Sequence, residues 1–342
     1  MSVEVPEQTP APSGGSSAAV EARARNLPTL ELLALLLVLA VLLRPRLAGL
    51  FDDPALQTWS TIFVSIVVQA LPFLVLGVVV SGGIAALVPP ALIARLLPDR
   101  PLIAVPAASL AGLALPGCEC GSVPIAGRLT ARGANPAAAL AFMLSAPAIN
   151  PVVLVATAVA FPGQPAVVLA RFAASLATAI VVGLLWSRVR GDALIDRSRM
   201  RIVEGGTRWQ SFAKTARHDF LHAGGWLVLG GMTAATLQVV VPRRVLDTVA
   251  STEWLAILAL AILAVVLAIC SEADAFVATG LTQFSLTSRL VFLVVGPAVD
   301  IKLVALQAGV FGRRFALRFA PLTFVVAVAC GVGVGSLLLR GG

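Results

Sequence analysis

Charge is what this sequence has least of. Asp, Glu, Lys and Arg make up 12% of its 342 residues, against about 25% in a soluble globular domain. With 58% hydrophobic residues and a mean hydropathy of +0.96, the shortage excludes an ordinary soluble fold. It points to a chain whose solvent is lipid, an all-α polytopic membrane protein. Cysteine is scarce too. The four residues Cys118, Cys120, Cys270 and Cys330 lie outside any long polar segment, which argues against a disulfide framework. No Walker loop, HExxH or GxSxG motif occurs, so neither ATP hydrolysis nor hydrolase chemistry is supported. An enzyme is not expected, and no cofactor is called for. The net charge of +8 resides in Arg of short loops. It reads as topology-setting charge rather than as a nucleic-acid surface.

Residues 1–26 are rich in Pro, Ser, Gly, Ala and Glu, and they read as a disordered tail. An uncleaved first transmembrane helix is predicted over 27–48, because no small-residue cleavage site follows its apolar stretch. Further apolar runs lie at 59–88, 102–116, 137–160, 165–186, 221–241, 254–270, 288–310 and 319–339. Most reach the ~20 residues that a helix needs to cross ~30 Å of hydrocarbon. The basic connection 188–217 is predicted to be cytoplasmic. It separates a first repeat, 55–187, from a second, 218–342.

The repeat is carried by four short matches in the same order. FLVLG at 73–77 pairs with WLVLG at 226–230. Cys118 and Cys120 pair with the region of Cys270. Phe142 with Pro147, Ala148 and Asn150 pairs with Phe292, Pro297, Ala298 and Asp300. Arg171-Phe172-Ala173 pairs with Arg318-Phe319-Ala320. If 102–132 and 254–286 each span once, the copies are parallel. If each is a re-entrant or broken segment, every half crosses three times and the copies are inverted. The charge bias favours the inverted arrangement, and its limbs 102–115 and 122–132, ~21 Å and ~16 Å as helices, suit a path half-way in and back.

Inside that frame, Pro116-Gly117-Cys118-Glu119-Cys120-Gly121-Ser122-Val123-Pro124 should break a helix, since Pro lacks the amide donor and Gly admits positive φ. Two thiols beside a carboxylate are soft ligands next to a hard one, suited to Cu(I), Zn(II) or trivalent arsenic. Buried Cys as mere packing is the alternative. Cys270, Glu272 and Asp274 sit at the matching place in the second half, where carboxylates at membrane depth point to a pathway. Asn150 and Asp300 are predicted near the middle of their helices, three residues after Pro147 and Pro297. Asp300 and Glu272 are candidates for proton coupling, and Asn150 for a helix–helix clamp. Arg171 and Arg318 are expected to snorkel to the interface. His218 and His222 read as an interfacial pair, and Cys330 as packing. The candidate substrate ligands are thus Cys118, Glu119, Cys120, Pro147, Asn150, Cys270, Glu272, Asp274 and Asp300. Cys118, Cys120 and Cys270 are the candidates to hold a metal.

These motifs resemble the ArsP/YraQ-type predicted permeases. The resemblance rests on PGCECGSVP (116–124), the G-x-L-x-x-x-G-A stretch around Arg128 to Ala134, FMLSAPAINPVV (142–153) and CSEADAF (270–276). It covers about residues 55–340. It implies a multi-pass permease of the cytoplasmic membrane, with relatives that export trivalent organoarsenicals and others described as Cu/Zn efflux proteins. The family's Cys motif would map onto Cys118 and Cys120, and its Pro–Asn motif onto Pro147 and Asn150. The chain lacks a Cys- or His-rich tail, which weakens the Cu/Zn version. The expected function is secondary efflux of a thiophilic solute such as a trivalent organoarsenical. A permease for Cu/Zn or another small solute with incidental Cys is one rival, and a membrane thiol redox enzyme using Cys118 and Cys120 is another. The expected partners are the lipid bilayer and a small-molecule or metalloid substrate. A homo-oligomer is left open.

Overall fold

In a computed structural model of the chain, the described residues are 54–87, 100–114, 118–189, 194–196, 207–240 and 252–339. The predicted tail, the first apolar helix and the Pro116–Gly117 breaker lie outside them. The chain divides into two compact units, 1–57 and 58–342, and the helical bundle belongs to the second.

The described residues form helices and no strand. In order, they are α1 (Pro54–Leu87), α2 (Pro101–Ala111, extended by a 3-10 turn at Gly112–Ala114), α3 (Glu119–Ala131), α4 (Pro136–Ile149), α5 (Pro151–Ala160) and α6 (Pro165–Arg188). They continue with α7 (Arg208–Val240), α8 (Glu253–Leu267), α9 (Asp274–Gly280), α10 (Leu286–Ala298), α11 (Ile301–Val310) and α12 (Arg313–Leu338). The predicted polar connection ends sooner than expected. Residues 208–217 already form the first turns of α7.

Helix starts are written into the sequence. Pro stands in the first turn of α2, α4, α5 and α6, where the missing amide costs nothing and φ is already helical. Side chains of Asn135, Asn150, Ser285 and Asp300 accept from the first-turn amides of α4, α5, α10 and α11. These caps count for more in lipid than in water, because no solvent satisfies an orphan amide there.

Among the described residues, six stretches are long and apolar enough to cross a membrane: 54–87, 136–160, 165–188, 209–240, 286–310 and 313–338. Two of them are broken, α4–α5 and α10–α11. Each broken span is 25 residues long, ~37 Å if helical throughout, against ~30 Å of hydrocarbon. In an 18-residue apolar stretch of each, 78% and 83% of the residues are buried in the broken spans, against 22% and 28% in α1 and α12. The breaks therefore sit in the protein interior and the intact helices face outward. Helices α2, α3, α8 and α9 have 11, 13, 15 and 7 residues, too short to cross alone.

The packing gathers these pieces around the breaks. α4 packs on α2, α3 and α6, and α10 packs on α8, α9 and α12. α4 and α10 touch, as do α6 and α12, the latter through Trp186 set edge-on to Phe315 and Phe319 at 5.1 and 5.2 Å between ring centroids. α3 from the first half packs on α11 from the second, and α9 from the second packs on α5 from the first.

Asn150 and Asp300 do not lie mid-helix as expected. Each is an extended residue at a junction, with φ −64°, ψ 157° and φ −139°, ψ 170°. Pro151 explains the first, since a residue before Pro is driven out of the α region. The Asn150 amide group patches both sides of its break. Its Nδ2 donates to Ala146 O at 2.9 Å and its Oδ1 accepts from Val153 N at 3.0 Å.

α1 reaches the centre through a glycine contact. A Cβ at Gly77 would collide with the backbone of Gly121 in α3, whereas a Cβ at Gly83 would meet nothing within 4 Å. Gly77→Ala is predicted to destabilise the protein by about 1–3 kcal/mol, and Gly83→Ala to leave it unchanged or slightly firmer. Thermal unfolding, followed by a thiol-reactive dye that reports exposure of the buried cysteines, checks the contrast.

Candidate functional site

Cys118 is the N-cap of α3, extended at φ −88°, ψ 179°, and its side chain makes no capping bond. Its backbone does that work, accepting from Gly121 N and Ser122 N. The thiol is fully buried, in no disulfide, and within hydrogen-bond reach of the Cys120 and Cys270 thiols. Glu119 follows in the first turn, buried at 0% exposure. Neither of its carboxylate oxygens has a hydrogen-bond partner.

The second half supplies a matching turn. α8 ends at Ala268, a non-glycine residue in the left-handed region at φ 47°, ψ 40°. Residues 271–273 form a tight turn, and Asp274 opens α9. Cys270 O accepts from Ala273 N and Asp274 N, and the Cys270 thiol donates to Glu272 Oε2 at 2.6 Å. Packing brings the two turns together. Ligand atoms of Cys118, Glu119 and Cys270 all lie within 4.8 Å of one another, the only such metal-capable group among the described residues. Cys120 is buried on α3 beside this trio but is not in it. Pro147 is buried inside α4, and Asn150 serves the backbone of its break.

A residue not foreseen from the sequence completes the centre. Lys302, in the first turn of α11, is 2% exposed. Its Nζ lies 3.6 Å from Glu119 Oε2 and 3.6 Å from Asp300 Oδ2, and it donates to Ala268 O at 3.4 Å. Asp300 is divided between two tasks. Its Oδ1 accepts from Leu303 N at 2.5 Å as the helix cap, and its Oδ2 has no hydrogen bond and faces Lys302. A small cavity bordered by Gln69, Cys118, Ala268, Cys270 and Lys302 has about 10 Å³ of free volume, room for roughly one water. The signal for Lys302 was present. The chain has two lysines, Lys214 and Lys302, and the second stands alone in an apolar run.

Asp274 faces away from the thiols. Arg171, expected at the interface, is instead fully buried. Its Nη2 donates to Asp274 Oδ2 at 2.8 Å and to Ser271 O at 3.1 Å, and its Nη1 donates to Thr157 Oγ1 at 2.8 Å. The reason is the partner. A guanidinium at that depth is tolerated when a carboxylate and a turn carbonyl meet it there. Arg171 thus clamps the turn that carries Cys270. Arg318, the residue paired with it in the expected repeat, is exposed.

A second buried pair lies at the other end of α3. Arg128 Nε donates to Asp219 Oδ2 at 2.9 Å, and its Nη2 meets Asp219 Oδ1. Ser81 Oγ also donates to Oδ2, at 2.7 Å. One carboxylate therefore joins α1, α3 and α7. The His218 and His222 rings stack at 5.8 Å, and His222 Nε2 is 3.0 Å from Gly309 O.

Six apolar spans closed around a buried, incompletely satisfied cluster of thiols and charges are the build of a membrane transport protein. The chain belongs to the ArsP_1 family, described as predicted permeases, whose model matches residues 55–335. It is 37% identical over 289 residues to UPF0718 protein YcgR of Bacillus subtilis, covering 82% of this chain and 97% of that one. It is 32% identical over 275 residues to a Streptococcus mutans protein named as a putative subunit of a two-component membrane permease complex, covering 78% and 91%. No solved structure gives a significant match. The chain is therefore a multi-pass permease of the cytoplasmic membrane.

The Arg171–Asp274 pair generates a stability prediction. Arg171→Met alone or Asp274→Leu alone leaves an unpaired buried charge and is expected to cost about 3–5 kcal/mol. The double variant is expected to cost clearly less than the sum of the two. Detergent melting of the four proteins checks this. An additive cycle would mean that the pair is not coupled.

Proposed function

We propose that the protein is a secondary permease that exports a thiophilic solute, with a trivalent organoarsenical as the first candidate. The observation that carries the reading is the meeting of Cys118, Glu119 and Cys270. Two soft thiols and one hard oxygen come from opposite halves of the chain, at fully buried positions. Soft ligands select thiophilic centres. When methylarsenite binds, each As–S bond forms as an As–OH bond breaks, and the thiol proton leaves with that hydroxide as water. Glu272, which accepts from Cys270, stands where the proton can be handed from thiol to leaving hydroxide. In this reading Cys118 and Cys270 take the soft centre and Cys120 has a lesser part. The one-water cavity corresponds to a closed form, so the solute enters and leaves by movement of the halves.

We further propose that the two halves are an inverted repeat. The six spans fall three and three about the 188–217 connection. The pairings α2–α4, α3–α4, α4–α6 and α5–α6 recur as α8–α10, α9–α10, α10–α12 and α11–α12. The crossed contacts α3–α11 and α9–α5 are what a two-fold axis between the halves produces, and an odd number of spans in each half sets that axis in the membrane plane.

A second reading rests on the streptococcal relative. Its printed name makes it a subunit of a two-component complex, so a partner chain that completes the permease is a specific alternative to a self-sufficient exporter. Co-purification with the product of a neighbouring gene would favour it.

Everted vesicles test the main reading. Uptake of methylarsenite is expected to fall at least about tenfold in Cys118→Ser and in Cys270→Ser, where one soft ligand is lost. Cys330→Ser is expected to transport normally, since Cys330 is not among the side chains whose ligand atoms meet. Uptake that does not change in Cys118→Ser and Cys270→Ser would remove the thiols from the mechanism.

A further inference from the structure

Lys302 is held by nothing tightly. Its distances to Glu119, Asp300 and the Ala268 carbonyl are 3.6, 3.6 and 3.4 Å, all longer than the ~2.7–2.9 Å of a charge-assisted hydrogen bond. The ammonium therefore sits between partners rather than on one. Glu119 has no other hydrogen bond, and the water-sized cavity abuts Lys302, Cys118 and Cys270 together. The Ala268 carbonyl is directed to this place by a left-handed conformation that a residue with a Cβ rarely adopts. Strain, a loose cation and an unsatisfied carboxylate meet at one point.

We propose that Lys302 is a tethered cation that competes with the transported solute for Glu119. The soft, electron-poor centre of the solute takes the place beside Glu119 as the ammonium withdraws toward Asp300 and the Ala268 carbonyl. The inference rests on Cys118, Glu119 and Cys270 being the solute's ligands, and it adds a class to them. The solute must present an electron-poor centre to Glu119, which disfavours anions. It also gives the permease a release step, because Lys302 returning to Glu119 expels the bound centre. A flexible four-carbon stem with a compact charge is suited to this, and a planar guanidinium is not. Asp300 is the alternative berth. Its cap to Leu303 would survive replacement by Asn, which does the same work at position 150.

The test uses the full chain purified in detergent, with Cd2+ alone as probe and cadmium–thiolate charge-transfer absorption as readout. Lys302→Met removes the competitor and is expected to tighten Cd2+ binding at least about tenfold. Asp300→Asn removes the berth, keeps Lys302 on Glu119, and is expected to weaken binding by a similar factor. Opposite signs exclude a merely structural role, and loss of the Asp300→Asn effect in a Lys302→Met background separates competition from simple charge loss, since without Lys302 there is no ammonium to berth. Equal signs would overturn the proposal, and so would no change in Asp300→Asn, an outcome that can be read even if Lys302→Met fails to fold. If the wild-type signal is absent, or is unchanged in Cys118→Ser, the ligand set itself is wrong and the competition falls with it. If that signal is present and depends on Cys118, only the role of Lys302 is in question.

Discussion

Two carboxylates and one ammonium share a volume that bulk water does not reach. Glu119 from the first half and Asp300 from the second would each be a severe burden in hydrocarbon alone. Lys302 lies between them and makes both tolerable. The cluster is thereby a joint between halves, and in the proposed function a binding place as well, because α3 cannot move from α11 without separating charges. The Arg128–Asp219 and Arg171–Asp274 pairs act in the same sense at two other places. Each bridges a helix of one half to an element of the other. Transport requires such joints to part and reform, so loosely held charges are more useful at the centre than tight ones.

The same constraint explains the architecture. A helix broken in lipid must satisfy its freed amides and carbonyls internally. The four breaks near Cys118, Asn150, Cys270 and Asp300 are accordingly placed in the protein interior. α1 and α12, continuous helices with one internal Pro each, Pro72 and Pro321, take the outer positions, where few backbone groups are left to satisfy. Asn150 and Asp300 occupy equivalent junctions with different consequences. The amide of Asn150 supplies both a donor and an acceptor to the backbone, whereas Asp300 lacks a donor and turns its second oxygen to Lys302. The first half is closed at this junction, and the second keeps a charge for use.

Much of this was legible in the residues. Charge scarcity and run lengths announce a polytopic membrane protein. Pro and Gly clusters mark the breaks, and paired Cys and acidic residues mark the two turns that meet. Pro151 also carried the information that Asn150 ends a helix, although a position inside an apolar run of normal length disguised it. The partners of Arg171 and Arg128 could not be read, because Asp274 and Asp219 are remote in sequence and their contacts exist only after packing. Arg171 near a helix start looks like any interfacial arginine until its carboxylate is seen. Lys302 left a trace, one of two lysines in the chain, but only geometry shows that Glu119 is on its other side.

The meeting of the two halves at their thiols underlies all of these statements, and proximity measures it most directly. In a variant that retains only Cys118 and Cys270, with a protease site placed in the 197–206 stretch, oxidation in native membranes should join the halves after cleavage. The predicted result is a full-length band under non-reducing conditions that vanishes on reduction and in either single-cysteine protein. Two separate fragments after oxidation, in a protein whose thiols do react once denatured, would contradict it.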